Sequence, residues 1–266
     1  MKPNFDTYCT WYKNKFDIEL YSKPSSIYEY VITKLQKDIA NSAFWIELNA
    51  NLSNYNDEYY LLNGYSLLRN DPIQIFTKTY LSLINKTYRK NILLNSNYPD
   101  APSTGWITNE NWFIQINDLL RTTITVRYLD GVKYIVDKIH ELAVKHNYGF
   151  EVDFEAREEG YYAAHITIKG NFSIIDSDWN ECQIICPIEI QVTTQLQDVI
   201  KDLLHKMYEE VRITENQEDD YKWQWNHKSL EFSSNYLGHI LHYVEGMILE
   251  VRDKQKIKVN KDETGI

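Results

Sequence analysis

Glu189 and Gln191 stand two residues apart in the run from Pro187 to Thr193, PIEIQVT. Side chains of a strand alternate between its faces, so Ile188, Ile190 and Val192 share one side and Glu189, Gln191 and Thr193 the other. The apolar side belongs on a core, which sends the carboxylate and the amide together into whatever lies opposite. Alone, the pattern equally describes a sheet face open to water. Asp118, just before a second β-rich run at 122–129, adds another carboxylate at a strand end. Two such acids suit Mg²⁺ in phosphoryl transfer, because that ion takes one or two carboxylates and fills its shell with phosphates and water. The stretch GYYAAHITI at 160–168 fits the same chemistry. Its glycine permits a turn, Tyr161 offers a ring for stacking on a base, and His165 lies on the face opposite Ile166 and Ile168.

Transfer of a phosphoryl group also needs cations for the developing charge. The chain carries a net charge of -10, yet residues 72–99 contain no acid while Lys78, Lys86, Arg89 and Lys90 fall inside. Lys86, Arg89 and Lys90 cluster near the end of a helix expected to start at Asp71-Pro72 and to bury Ile73, Phe76, Tyr80, Leu83, Ile84 and Thr87. For this cluster a solvated face and a phosphate-binding face are both open. Arg121 is a further candidate, and Arg127, on the strand face of Thr123 and Thr125, either reaches phosphates or forms a salt bridge. Tyr162 alternates away from Tyr161 and reads as core. His239, His242 and Glu245 recur every three residues and read as an ordinary helix surface rather than a metal site.

The elements that must position these residues follow a simple order. The first hundred residues read as helical, including one long stretch from Pro24-Ser25-Ser26 to about Leu48. Then come the strand at 122–129, with Ile124, Val126 and Tyr128 on one face, and a helix after Asp130-Gly131 that ends at Asn147 and Gly149. Strands follow at 150–155, around His165 and at 183–193, with Pro187 at a bend or edge. A helix from Gln195 to about Val211 carries the stripe Leu196, Val199, Ile200, Leu203, Leu204, Met207 and Val211, and places His205 opposite it. A last helix spans about 236–252. With 266 residues, 43% hydrophobic and 25% charged, the chain reads as one α/β domain over 1–266. Its parts are a mainly helical portion (1–117), a catalytic α/β core (118–212) and a C-terminal helical flank (213–266). No apolar run approaches the ~20 residues of a membrane span, no signal peptide leads the chain, and three cysteines form no framework. A cytoplasmic protein with reduced thiols is expected, and the net charge argues against broad nonspecific nucleic-acid binding while leaving room for a local anion site.

Asp118-Leu-Leu-Arg121-Thr-Thr, YLDG at 128–131, GYYAAH at 160–165, EIQVTT at 189–194 and LLHKMYE at 203–209 occur in that order. Together they resemble the synthetase domain of the RelA/SpoT family, whose motifs run roughly D-x-x-G-x-R, G-Y-x-S-x-H, E-x-Q-x-R-T and a helix with His. The resemblance covers 118–209, with weaker similarity from about Tyr88 to the end. It implies a nucleotidyltransferase-like mixed β-sheet flanked by helices, with ATP as donor of its β,γ-pyrophosphate to a ribose 3′-hydroxyl and Mg²⁺ as cofactor. On this resemblance Asp118 binds metal and Glu189 binds metal or helps deprotonate the hydroxyl, with Gln191 beside it. Tyr161 stacks on the acceptor base, His165 faces the acceptor phosphates, and His205 becomes a possible site residue.

The departures from the family pattern bear on the acceptor. Arg121 replaces a glycine, Thr123 the following arginine, and Thr193 the arginine of E-x-Q-x-R-T. An acceptor with a free di- or triphosphate needs such cations. DLLRTT, GYYAAH and EIQVTTQLQ are instead similar to the toxic small alarmone synthetase branch, many of whose members pyrophosphorylate the 3′-terminal adenosine of tRNA and stop translation. That implies the tRNA acceptor end as partner, a separately encoded antitoxin, and a basic 86–90 face for the acceptor stem. The alternative is a small alarmone synthetase that makes (p)ppGpp or (p)ppApp from free nucleotides. From a different class stands a catalytically silent RNA-binding module, against which Asp118, Glu189 and Gln191 argue.

Overall fold

A computed structural model describes residues 2–68, 73–176, 180–201 and 222–264, with side chains to 255. Three helices open the chain: α1 (Phe5–Phe16), α2 (Lys23–Ala40) and α3 (Ala43–Asn63). The single long helix expected to reach Leu48 is thus two. The break falls at Asn41-Ser42, where the Ser42 side chain accepts a hydrogen bond from Trp45 N and starts α3 afresh.

Strand β1 (Phe76–Thr77) and helix α4 (Tyr80–Tyr88) come next. The expected helix from 71 therefore starts later: Phe76 pairs with Arg121 as strand and is exposed, and Ile73 also precedes the helix. Thr79 supplies the true cap by accepting from Ser82 N, and Tyr80, Leu83, Ile84 and Thr87 are buried as expected. The proposed Asp71-Pro72 start lies outside the described residues. A single π turn, Arg89–Leu93, continues α4. Its Asn91 is buried and exchanges hydrogen bonds with both backbone groups of Ile107 (2.8 and 2.9 Å), which fixes the following loop.

After the short α5 (Trp112–Gln115) the remaining strands are β2 (Leu120–Val126), β3 (Gly149–Ala156), β4 (Tyr162–Ile175) and β5 (Glu181–Thr194), with α6 (Leu129–Lys145) between β2 and β3. Tyr128 is not the last strand residue; it sits at the start of α6 in an extended conformation. The sheet order is β1-β2-β5-β4-β3, with β2 and β5 parallel and the other pairs antiparallel. Pro187 faces Lys169 of β4 before the pairing of β5 with β2 begins, so β5 has one neighbour there and the missing N–H breaks no second ladder.

Ile124, Ile166, Ile190 and Val192 are buried on one face, packed with the α6 residues Val132, Ile135, Val136, Ile139 and Leu142. A helix α7 begins at 195 and is described to 201, so Leu203, Leu204, Met207 and Val211 of the expected stripe, and His205, lie outside the described residues. The last helix, α8 (Leu230–Thr264), is longer than expected. Arg252 fastens it, meeting Asp130 Oδ2 at 2.6 Å and Tyr59 Oη at 2.9 Å.

Candidate active site

Strand register gathers the predicted residues. Arg121 pairs with Glu189 and Thr123 with Gln191 across β2–β5, while Thr167 and His165 of β4 lie opposite Glu189 and Gln191. Paired residues share a face, so Arg121, Glu189, Gln191 and His165 occupy the side of the sheet away from α6. Glu151, Asp153 and Glu155 of β3 continue this face, with Asp153 paired to His165.

Two acids anchor the site, and each is held in a different way. Lys86 Nζ lies 2.7 Å from Asp118 Oδ1 and Lys78 Nζ 3.1 Å from Oδ2. Burial would raise the Asp118 pKa, but the two lysines overcome it and hold the carboxyl below its ordinary range. Glu189 Oε1 lies 2.5 Å from His165 Nδ1 and accepts from Gln191 Nε2 at 3.0 Å. Burial again acts upward, and these hydrogen bonds bring the pKa below the usual value. A carboxylate only accepts, so His165 carries its proton on Nδ1 and its Nε2 receives the Tyr161 hydroxyl at 3.0 Å. Burial, then the charge of Glu155, pushes the Tyr161 phenol up to about 12, and it stays neutral.

Several neighbours were missed in the sequence. Lys78 follows a strand of only two residues, too short for alternation to reveal, yet its backbone N–H donates to Leu119 O and delivers the side chain to Asp118. Arg157 lies 5.4 Å above the Tyr161 ring centroid and pairs with Glu155 at 2.6 Å. Lys201 Nζ donates to Gln191 Oε1 at 2.9 Å, which orients the Gln191 amide toward Glu189. Gln197 and Lys201 both sit on α7, directly after β5.

The basic trio separates. Lys86 turns in to Asp118, whereas Arg89 and Lys90 belong to the π turn. Burial and then Lys86 push the Lys90 pKa down, against the pull of Asp118. Arg127 lies beyond the end of β2, about 20 Å along the strand direction from Arg121, and its Nε donates to the Leu68 carbonyl at 3.2 Å. The structure does not bring it to the acids.

Tyr162 does alternate away from Tyr161, and it packs against α8. Its ring stacks on His242 at 3.7 Å, and its hydroxyl meets His239 Nδ1 at 2.8 Å. His239 and His242 meet Tyr162 and Glu245 is buried, so these three are not an open helix surface but the inward side of α8. Gly160 has φ +78°, and a Cβ there would lie 2.4 Å from Asn235 O; one on Gly238 would lie 2.3 Å from Gly160 O. Only two glycines allow α8 this close to the turn that precedes Tyr161.

The sequence matches no protein-family profile and no curated protein. The fold has solved counterparts. A GTP pyrophosphokinase family protein from Streptococcus pneumoniae is similar over 80% of this chain and 89% of its own, with TM-score 0.53 and 16% identity. Small alarmone synthetase 1 from Bacillus subtilis, bound to its product pppGpp, is similar over 79% and 91%, with TM-score 0.53 and 14% identity. Small alarmone synthetase 2 from the same organism is similar over 79% and 94%, with TM-score 0.50 and 17% identity. The chain thus has the fold of these proteins, the mixed sheet flanked by helices that the motifs implied. Among the described residues no helix is long and apolar enough to cross a membrane.

Proposed function

We propose that this protein is an ATP-dependent diphosphotransferase that moves the β,γ-pyrophosphate of ATP to a ribose 3′-hydroxyl. The acceptor is the 3′-terminal adenosine of tRNA, and the product blocks translation, as in a toxin neutralised by a separately encoded antitoxin. The observation that carries the reading is the pair of ionised, half-buried acids, Asp118 with two lysines and Glu189 with a histidine, on the open face of this fold.

The residues fit Mg²⁺ in the manner of phosphate-bridged sites. Two carboxylates close enough for Asp118 to perturb Glu189 suit an ion that takes the rest of its shell from substrate. Asp118 and Glu189 would hold it, and it would neutralise charge on the phosphates. Lys78 and Lys86, already drawn to Asp118, contribute fixed positive charge where donor phosphates approach that acid. Glu189 orients His165, and the Nε2 of His165, released from the Tyr161 hydroxyl, accepts the proton of an incoming 3′-hydroxyl. Tyr161 supplies a base platform, and Arg157 covers one of its faces, leaving the other for an acceptor base.

The acceptor reading draws on the cations that are missing. Thr123 and Thr193 stand on the site face in place of arginines, Thr193 buried with its hydroxyl 3.4 Å from Tyr162 O. Beyond His165 the face continues with Glu151, Asp153 and Glu155, which oppose an acceptor carrying its own di- or triphosphate. A tRNA end brings a stackable base and a free 3′-hydroxyl without that charge. The second reading, synthesis of (p)ppGpp or (p)ppApp, is favoured by one finding: the similar Bacillus subtilis synthetase holds pppGpp. Incubation with γ-labelled ATP and either deacylated tRNA or GDP, GTP and adenosine nucleotides decides. Label on the tRNA 3′ end is expected. Label confined to free nucleotides replaces the proposal with the second reading.

A further inference from the structure

Trp225 is 79% exposed, and among the described tryptophans it alone is mostly open to solvent. It lies in the run KWQWNHK at 222–228. Between Asp220 and Glu231 the chain has no acid, while Lys222, His227 and Lys228 fall inside. Lys222, Asn226, His227 and Lys228 are exposed as well. The turn that presents the ring is fixed. Trp225 N donates to Lys222 O at 2.9 Å, Asn226 N donates to Trp223 O at 3.0 Å, and the Trp223 ring meets Tyr236 of α8 edge-on at 5.4 Å. Two bonds tie this turn to the acceptor side of the site. Gln224 Nε2 donates to Glu158 Oε1, and His239 Nε2 donates to Glu158 O at 2.9 Å. Glu158 sits in the tight loop between β3 and β4, which is closed by Arg157 N to Tyr161 O and Gly160 N to Arg157 O, both 3.0 Å. The residue before Trp225 is thus bonded to the loop that carries Arg157 and Tyr161.

We propose that residues 222–228 form a site for single-stranded RNA, in which Trp225 stacks on a base upstream of the terminal adenosine and Lys222 and Lys228 meet the flanking phosphates. Aromatic faces with cations beside them grip a single strand whatever its sequence, because every base has a face to stack. A ring held on a bonded turn loses little freedom when a base settles on it. Stacking also suits an acidic chain, since it needs few cations. A protein partner would call for an apolar surround, whereas the residues next to this tryptophan are Gln224, Asn226 and His227. The site divides acceptors by length. A mononucleotide has one base, for Tyr161, whereas a tRNA end offers a base to each ring. The direction of the strand toward Tyr161 rests on the tRNA reading above; the affinity of the turn for a single strand does not.

Fluorescence anisotropy of a labelled single-stranded RNA ending in CCA, titrated with the full chain, tests the site without any transfer reaction. Trp225→Ala is expected to weaken binding about tenfold with circular dichroism unchanged, and Trp225→Phe, which keeps a ring, to retain most of it. Lys222→Gln with Lys228→Gln should lower the slope of log affinity against log salt by about 1.4, or about 0.7 for each phosphate contact. A wild type that does not bind the RNA, or a Trp225→Ala variant that binds it undiminished, overturns the proposal; the second result would assign the tryptophan to a protein partner. Transfer to deacylated tRNA and to AMP then separates this site from the reading it rests on. The Trp225→Ala loss should appear as a raised KM for tRNA and not for AMP. An equal rise for both overturns the proposal, since the ring would then serve the mononucleotide site. A wild type that labels AMP alone, yet binds the RNA through Trp225, refutes the tRNA reading and upholds the RNA site.

Discussion

At the scale of single residues, the site is a contest between burial and partners. Asp118 and Glu189 are both pulled toward the neutral form by desolvation and both end below their ordinary pKa because lysines, a histidine and an amide outweigh it. A carboxyl with a depressed folded pKa adds stability that is fully present above its unfolded value and is lost as pH falls through the folded one. Urea midpoints measured from pH 7 to pH 3 should therefore fall in the wild type below the usual carboxylate range, and fall less in Asp118→Asn. That variant and Glu189→Gln should each lose on the order of 10²–10³ in kcat with circular dichroism unchanged; retained activity in either removes the proposed acid site. The Tyr161 ring and hydroxyl separate in the same way. Tyr161→Phe keeps the platform and leaves His165 Nε2 free to accept the proton, so kcat and acceptor KM should change little, whereas Tyr161→Ala should raise acceptor KM. Equal losses in both variants would mean that the ring stacks on nothing.

At the scale of elements, α8 is held at the contact of Gly238 with Gly160, at Tyr162 against His239 and His242, and at Arg252. Arg252 bridges to Asp130 and Tyr59 with its side chain almost wholly buried, while Asp130 is about one-third exposed. Removing one partner of a fully buried pair costs about 3–5 kcal/mol, and the partial solvation of Asp130 lowers this to about 2. Arg252→Met should lower stability by that amount in denaturant titration; a change near zero would show that α8 is fixed by its glycine contact instead. How far the elements could be read from the chain depended on how local their causes are. β3, β5 and α6 follow from alternation and helical periodicity within one segment, and so did the sharing of a face by Glu189 and Gln191. The break before α3 and the strand β1 did not. Asn41-Ser42 interrupts an otherwise continuous helical pattern, and Phe76 becomes strand because β2, more than forty residues later, pairs with it. Lys78 was missed for the same reason. Arg127 was misplaced because face parity says nothing about distance along a strand.

At the scale of the whole molecule, the proposed reaction has an acidic protein manage two polyanions. The separation of Lys86 from Arg89 and Lys90 divides that labour. Lys86→Gln should slow turnover with any acceptor, because it withdraws charge from Asp118. Arg89→Gln with Lys90→Gln should weaken reaction with tRNA alone and flatten its salt dependence, since fewer counterions are released. Equal loss with a mononucleotide acceptor would place both residues at the donor phosphates. The contact between Gly160 and Gly238 has a bearing on timing. Synthesis delivers Asp118, Tyr161, His165 and Glu189 to the folding chain well before Gly238 exists. The turn beside Tyr161 thus receives its fastening only after every one of those residues has been made, so the site's parts must assemble before the contact that closes them in can form.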